Sequence, residues 1–149
     1  MAAILVIAHA PLASALLSVA RHVYADCAAV LAAVDVGASM SVETAEAQAR
    51  QAMVDLGGGE ILILTDVFGA TPCNVAQRLS DGQSTRVVTG VNVPMLWRTL
   101  CYAREPLDSL AARAVAGATQ GVMQVSSNRP QNQSQTPPTH DSHQSRHQQ

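Results

Sequence analysis

The chain has 149 residues, enough for one domain of ordinary size and too few for two. Hydrophobic residues make up 48%, so a core is available, whereas charged residues make up only 13%, with nine arginines, no lysine and a formal net charge of −2. That charge offers no basic field to hold nucleic acid, and the aromatics Tyr24, Phe68, Trp97 and Tyr102 are too few for base-stacking platforms.

Ala3–Ala8 is an unbroken apolar run with β-branched members and reads as a buried strand. Pro11 opens a helix whose apolar stripe is Leu12, Leu16, Val19 and Val23. Val30–Val36 is a second strand, ended by Gly37. Ser41 caps the next helix, with Glu43 and Glu46 near its positive end and Val42, Ala45, Ala49, Met53 and Leu56 on its buried face; Gly57–Gly59 stops it. Glu60–Thr65 is the third strand. The turn Asp66–Asn74 leads into a helix with Thr71 as N-cap and Pro72 in its first turn, running to about Leu79. Asp81-Gly82 is a turn and Thr85–Val91 a fourth strand. Pro94 starts a short helix to about Tyr102. Pro106 and Asp108 start another, with Leu107, Leu110, Ala114, Val115 and Ala118 on one face and Gly121 as its stop. Val122–Val125 is a weak fifth strand. From Ser126 to Gln149 there is no Leu, Ile, Val, Met, Ala or aromatic residue, so 126–149 is expected to be a disordered polar tail behind a folded unit 1–125.

The three cysteines, Cys27, Cys73 and Cys101, are odd in number and widely spaced, with no Cys/His cluster for zinc; free thiols buried in the core, in a reducing cytosol, are expected. The first positive residue is Arg21, which leaves the apolar start without the basic region of a signal peptide, and no stretch approaches the roughly 20 apolar residues of a membrane span. The expected location is cytoplasmic. His22 reads as a surface or structural residue, and His140, His143 and His147 are too scattered to hold a metal.

Strands alternating with helices, and apolar on both faces, predict an open doubly wound α/β sheet of parallel strands with helices on both sides. Ligands in such sheets sit at the carboxyl ends of the strands. That rule singles out His9, the segment Asp66–Asn74, and Gly90–Pro94. No Gly-rich dinucleotide fingerprint follows the first strand, and a Walker-type site is excluded by the lack of lysine. His9 at a strand end can serve as a neutral nucleophile. Asp66, ending the neighbouring strand, can hold one ring nitrogen and leave the other free to attack. Gly69-Ala-Thr-Pro-Cys-Asn74 offers a small-residue turn into a helix N-terminus that suits a phosphoryl group, with Thr71 and Asn74 as further donors. Each residue also has an ordinary reading: His9 as a satisfied polar residue, Asp66 as a turn residue, Thr71-Pro72 as a helix start. Cys73, at the helix start, is the one thiol placed for a lowered pKa.

Three motifs in order resemble those of the mannose-type enzyme IIA domains of the bacterial phosphoenolpyruvate-dependent sugar phosphotransferase system: Val6-Ile-Ala-His-Ala-Pro-Leu-Ala13, Leu64-Thr-Asp-Val-Phe-Gly-Ala-Thr-Pro-Cys-Asn-Val-Ala76 and Thr89-Gly-Val-Asn-Val-Pro-Met-Leu96. The resemblance implies four parallel strands with a fifth antiparallel edge strand, filled by Val122–Val125, through which members often form homodimers. It implies a phosphotransferase in which His9 accepts a phosphoryl group from phospho-HPr, through Nε2, and passes it to a IIB partner, with Asp66 holding the other ring nitrogen. Gly69, Ala70, Thr71 and Asn74 would bind the phosphoryl group, and Phe68, Cys73, Asn92 and Pro94 would meet the partner. No cofactor or metal is implied, and the membrane enters only through separate transporter subunits. Ala10 and Ala70 stand where the family has glycine, which restricts backbone approach to the phosphate, and Cys73 stands for its usual Phe. Competing readings are a phosphoryl donor for a dihydroxyacetone-kinase system, a regulator that changes partners with its phosphorylation state, and a small-molecule binding module. A IIB acceptor would have to be a separate chain.

Overall fold

A computed structural model describes residues 1–25 and 30–126; Cys27 and the tail beyond Ser126 lie outside the described residues. The order is β1 (Ala3–His9), α1 (Leu12–Val23), β2 (Leu31–Val36), α2 (Val42–Asp55), β3 (Ile61–Thr65), α3 (Thr71–Leu79), β4 (Thr85–Thr89), α4 (Val93–Cys101) and α5 (Leu107–Gln120). All strand pairings are parallel, in the order β2-β1-β3-β4. The two central strands are the most apolar in sequence, and Ile4–Ala8 and Ile61–Thr65 are buried throughout. Alternation along the strands makes two cores. Ile4, Val6, Ala8, Leu62 and Leu64 pack on α1, α4 and α5, while Leu5, Ile7, Ile61 and Ile63 pack on α2 and α3.

Several details depart from the sequence expectation. Helix α1 buries Ala13, Leu16 and Ala20 and leaves Leu12, Val19 and Val23 exposed, because its small residues face the sheet and allow close approach. In α5 the buried positions are Leu107, Leu110, Ala114 and Gly117, a regular helical spacing that turns Val115 outward. Strand β4 ends at Thr89, not Val91: Gly90 takes a positive φ of 85°, and the Val91 N–H folds back to the Thr65 carbonyl at 2.9 Å. The N-cap of α3 is Ala70, with Thr71 already helical. Cys101 is exposed rather than in the core, whereas Cys73 is buried.

Val122–Val125 does not form the fifth strand. It is irregular, with Val122, Met123 and Val125 exposed, and among the described residues β4 is paired on one side only, with β3. A four-residue apolar segment becomes a strand only through a neighbour's ladder, and among the described residues it meets none.

Candidate functional site

All four strands run in one direction, so their carboxyl ends share one edge of the sheet. Ile7 of β1 lies in register with Thr65 of β3. Asp66 is one position beyond Thr65 and His9 two beyond Ile7, so residues 57 apart in sequence meet at the edge. The Asp66 Oδ2 accepts the His9 backbone N–H at 2.9 Å and stands 2.6 Å from His9 Nδ1, while Oδ1 accepts the Val67 N–H at 2.9 Å. Burial of Asp66 opposes its ionisation and is the largest single influence on it. The hydrogen bonds from the His9 N–H, the His9 ring and the Val67 N–H together outweigh that burial and hold the carboxyl below its usual range. An ionised carboxylate can only accept, so Nδ1 carries the proton in this pair. Neutral His9 then presents its lone pair on Nε2. The His9 side chain is 51% exposed and that of Asp66 only 12%, an open ring held by a shielded carboxylate.

Strand alternation places His9 on the face shared by Leu5 and Ile7, the face covered by α2 and α3. Helices α1 to α4 each follow one strand, so their N-termini gather at this same edge. Three have their free N–H groups answered by a side chain. Ser41 Oγ accepts from Thr44 in α2, and Asn92 Oδ1 accepts from Met95 in α4 at 2.9 Å. In α1 the Ser14 N–H goes to Asp35 Oδ1 of β2 at 3.1 Å. Helix α3 has Ala70 at its N-cap, and among the described residues no side chain caps it. Its dipole and first-turn N–H groups remain open to an anion beside His9.

The sequence-selected residues divide on this geometry. Gly69 sits at φ +83°, which favours glycine, and is exposed; Ala70 and Thr71 are half-buried at the helix start. The Asn74 side chain is exposed, and its N–H is already bonded to the Ala70 carbonyl at 3.0 Å. Phe68 is 74% exposed next to Val67, leaving an apolar tip beside His9. Cys73 is 2% exposed, so the structure removes it from any partner-facing surface: it lies under the first turn of α3. Asn92 is committed at both ends, its Oδ1 to Met95 and its Nδ2 to the Ala118 carbonyl at 3.3 Å. Pro94 packs on α5, where a Cβ added at Gly121 would lie 2.3 Å from the Pro94 Cβ. Asp35 and the capping role of Asn92 escaped the sequence reading. Asn92-x-Pro94 was a readable helix-start pattern, whereas Asp35 caps across 21 residues and has no local signature.

The site is an open ledge. A concavity of about 400 Å³ among Met1, Val23, Tyr24, Val30, Leu100 and Cys101 lies at the amino end of the sheet, away from His9. None of the described helices is long and apolar enough to cross a membrane, and no group of three metal-ligating side chains occurs among the described residues.

Residues 3–115 match the family model described as the PTS system fructose IIA component. Over 78 residues the chain is 40% identical to the PTS system mannose-specific EIIAB component of Escherichia coli, a match that takes in 50% of this chain and 24% of that relative's length. Among solved structures, the mannose/sorbose specific IIA subunit from Enterococcus faecalis superposes with a TM-score of 0.78 at 24% identity, over 86% of this chain and 97% of that one. The phosphotransferase system component EIIA from Streptococcus agalactiae gives 0.74 at 24%, over 83% and 97%. At such identity these two likenesses carry the fold.

Proposed function

The chain belongs to the mannose-type IIA family of the sugar phosphotransferase system, and on that premise we propose that it is a cytoplasmic phosphoryl carrier working through His9. The Nε2 lone pair attacks the phosphorus of a phosphohistidine on HPr. The new N–P bond forms as the donor's N–P bond breaks, and the donor imidazole leaves with the electron pair. Phosphorylated His9 carries a positive ring opposite the Asp66 carboxylate, which balances it. The N-terminus of α3, entered through Gly69, Ala70 and Thr71, receives the phosphoryl oxygens, and Asn74 flanks them. The same steps in reverse hand the group to a IIB-type acceptor. No metal or cofactor is required, because the donor arrives already activated.

The single observation that carries this reading is the 2.6 Å contact from His9 Nδ1 to Asp66 Oδ2, which turns Nε2 into the free nucleophile beside an uncapped helix start. The openness of the ledge, with Phe68 projecting at its rim, suits a protein partner better than a small substrate. The unit 1–125 is taken as the carrier. The exposed Val122, Met123 and Val125 supply a strand for the free edge of β4 in a second copy, giving a homodimer. The test is incubation with phosphoenolpyruvate, enzyme I and HPr, followed by intact mass. One phosphoryl group is expected on the chain and none on His9→Ala; a labelled His9→Ala would move the site elsewhere.

A further inference from the structure

Asp35 is the penultimate residue of β2 and the register partner of Ala8, one step short of the His9↔Val36 pair. It alternates with Val34 and Val36, which face α2 and α3, so its side chain lies on the opposite face, under the start of α1. There Oδ1 takes the Ser14 N–H. Neither Ala10 nor Pro11 has a side-chain oxygen to cap α1. One residue past His9, the Ala10 N–H bonds the Val36 carbonyl at 3.0 Å. The turn from His9 to Ser14 is thus pinned to β2 at both ends.

Two helix starts therefore flank His9 without caps of their own, α1 on one face of the sheet and α3 on the other. Each carries a partial positive charge that draws an anion. A phosphoryl group on an exposed ring at the sheet edge would be attracted by either, and only the α3 side also has the Asp66 anchor that fixes the ring. A carboxylate at the start of α1 cancels the competing attraction.

We propose that Asp35 is a positioning residue for phosphotransfer, whose negative charge closes the N-terminus of α1 so that the phosphoryl group on His9 is met by α3 alone. This rests on the phosphohistidine reading above. It differs from a plain capping role, in which the hydrogen bond to Ser14 matters and the charge does not. Asp35→Asn separates the two, since it keeps the size and a carbonyl acceptor while removing the charge; Asp35→Ala removes both.

The experiment measures the equilibrium of phosphoryl exchange between phospho-HPr and the full chain, together with backbone amide spectra before and after phosphorylation. Asp35→Asn is expected to stay folded with only a small fall in melting temperature and to shift the exchange about two- to fivefold toward the phosphorylated chain, as expected for removing a like charge at a helix terminus. Phosphorylation should move the Thr71 amide signal in the unaltered chain and leave Ser14 still, but move both in Asp35→Asn. Asp35→Ala should shift the exchange the same way while melting lower. An exchange equilibrium unchanged, or moved away from the phosphorylated form, in folded Asp35→Asn overturns the inference. So does a Ser14 signal that moves as far as that of Thr71 in the unaltered chain, a result that needs no variant. Failure of the unaltered chain to label overturns the phosphohistidine reading itself, and this inference with it, before any substitution is made.

Discussion

Replacing Asp66 by Asn tests the chemistry of the pair most directly. The carboxylate accepts three hydrogen bonds, two from His9 and one from the Val67 N–H. Asparagine offers one carbonyl oxygen and one NH₂, so the two backbone N–H groups and the ring cannot all be answered as before. The carbonyl oxygen takes the place of Oδ2, where it answers both His9 donors, and the NH₂ turns to the Val67 N–H, which loses its acceptor while the ring loses its countercharge. Losing one charge-assisted hydrogen bond costs about 1.5–3 kcal/mol. Carried into the transition state, that is roughly a 10- to 150-fold slower reaction. The expected result is slow but complete labelling of Asp66→Asn by phospho-HPr, read by quenched mass spectrometry, with ring-nitrogen NMR showing the proton still on Nδ1. The pH dependence has a definite sign. A carboxyl held below its ordinary pKa of about 3.9 adds stability above that pH, and the contribution is lost as pH falls through the lower folded value. Asp66→Asn should lack that acid-limb loss. Wild-type labelling rates in Asp66→Asn, or a proton resting on Nε2 in the unaltered chain, would refute the orienting role.

Thr65 and Thr89 face each other across β3 and β4 and both bury a hydroxyl without a partner, so Thr65→Val should stabilise the fold by about 1 kcal/mol in urea melts; destabilisation would mean the hydroxyl is satisfied. Gly117→Ala places a Cβ 2.7 Å from the Arg98 Cβ at the α4–α5 contact and should cost about 1–3 kcal/mol, measured the same way, with an unchanged midpoint counting against the contact. Asp81 accepts from Ser84 Oγ and from the backbone N–H groups of Gln83, Thr85 and Ser84, which bring its pKa to about 2. Its stabilising effect should therefore be complete above about pH 4 and fade toward pH 2, and a carboxyl that titrates in the ordinary range by NMR would contradict it.

The central strands could be read directly because residues buried on both faces leave an unbroken apolar run, as in Ile4–Ala8 and Ile61–Leu64. The His9–Asp66 pair was legible for a related reason: parallel strands bring their carboxyl ends to one edge, and these two residues end neighbouring strands. Helix faces were less legible. Apolar size chose Leu12, Val19 and Val23 in α1, whereas packing distance chose Ala13 and Ala20, and size says nothing about distance. The segment Val122–Val125 has a strand's composition, but a strand is a property of two segments, and among the described residues none pairs with it. Asp35 was hidden because a cap supplied from a neighbouring strand leaves no spacing rule along the sequence.

The departures from the family's glycines resolve in the same physical terms. A glycine is required where φ is positive, and elsewhere a Cβ need only find room. At the entry to α3 the positive φ falls on Gly69, which is retained, and Ala70 is extended at φ −91°. Ala10, after the histidine, also avoids the left-handed region, since no described residue other than glycine has a positive φ, and its side chain is exposed. Neither alanine strains the backbone at the edge where the proposed phosphoryl group would sit. The cost of either is confined to one methyl group at the rim. Gly69→Ala is the substitution that should disturb the site, since it forces a Cβ into the left-handed region at the turn between the Asp66 anchor and the open helix start.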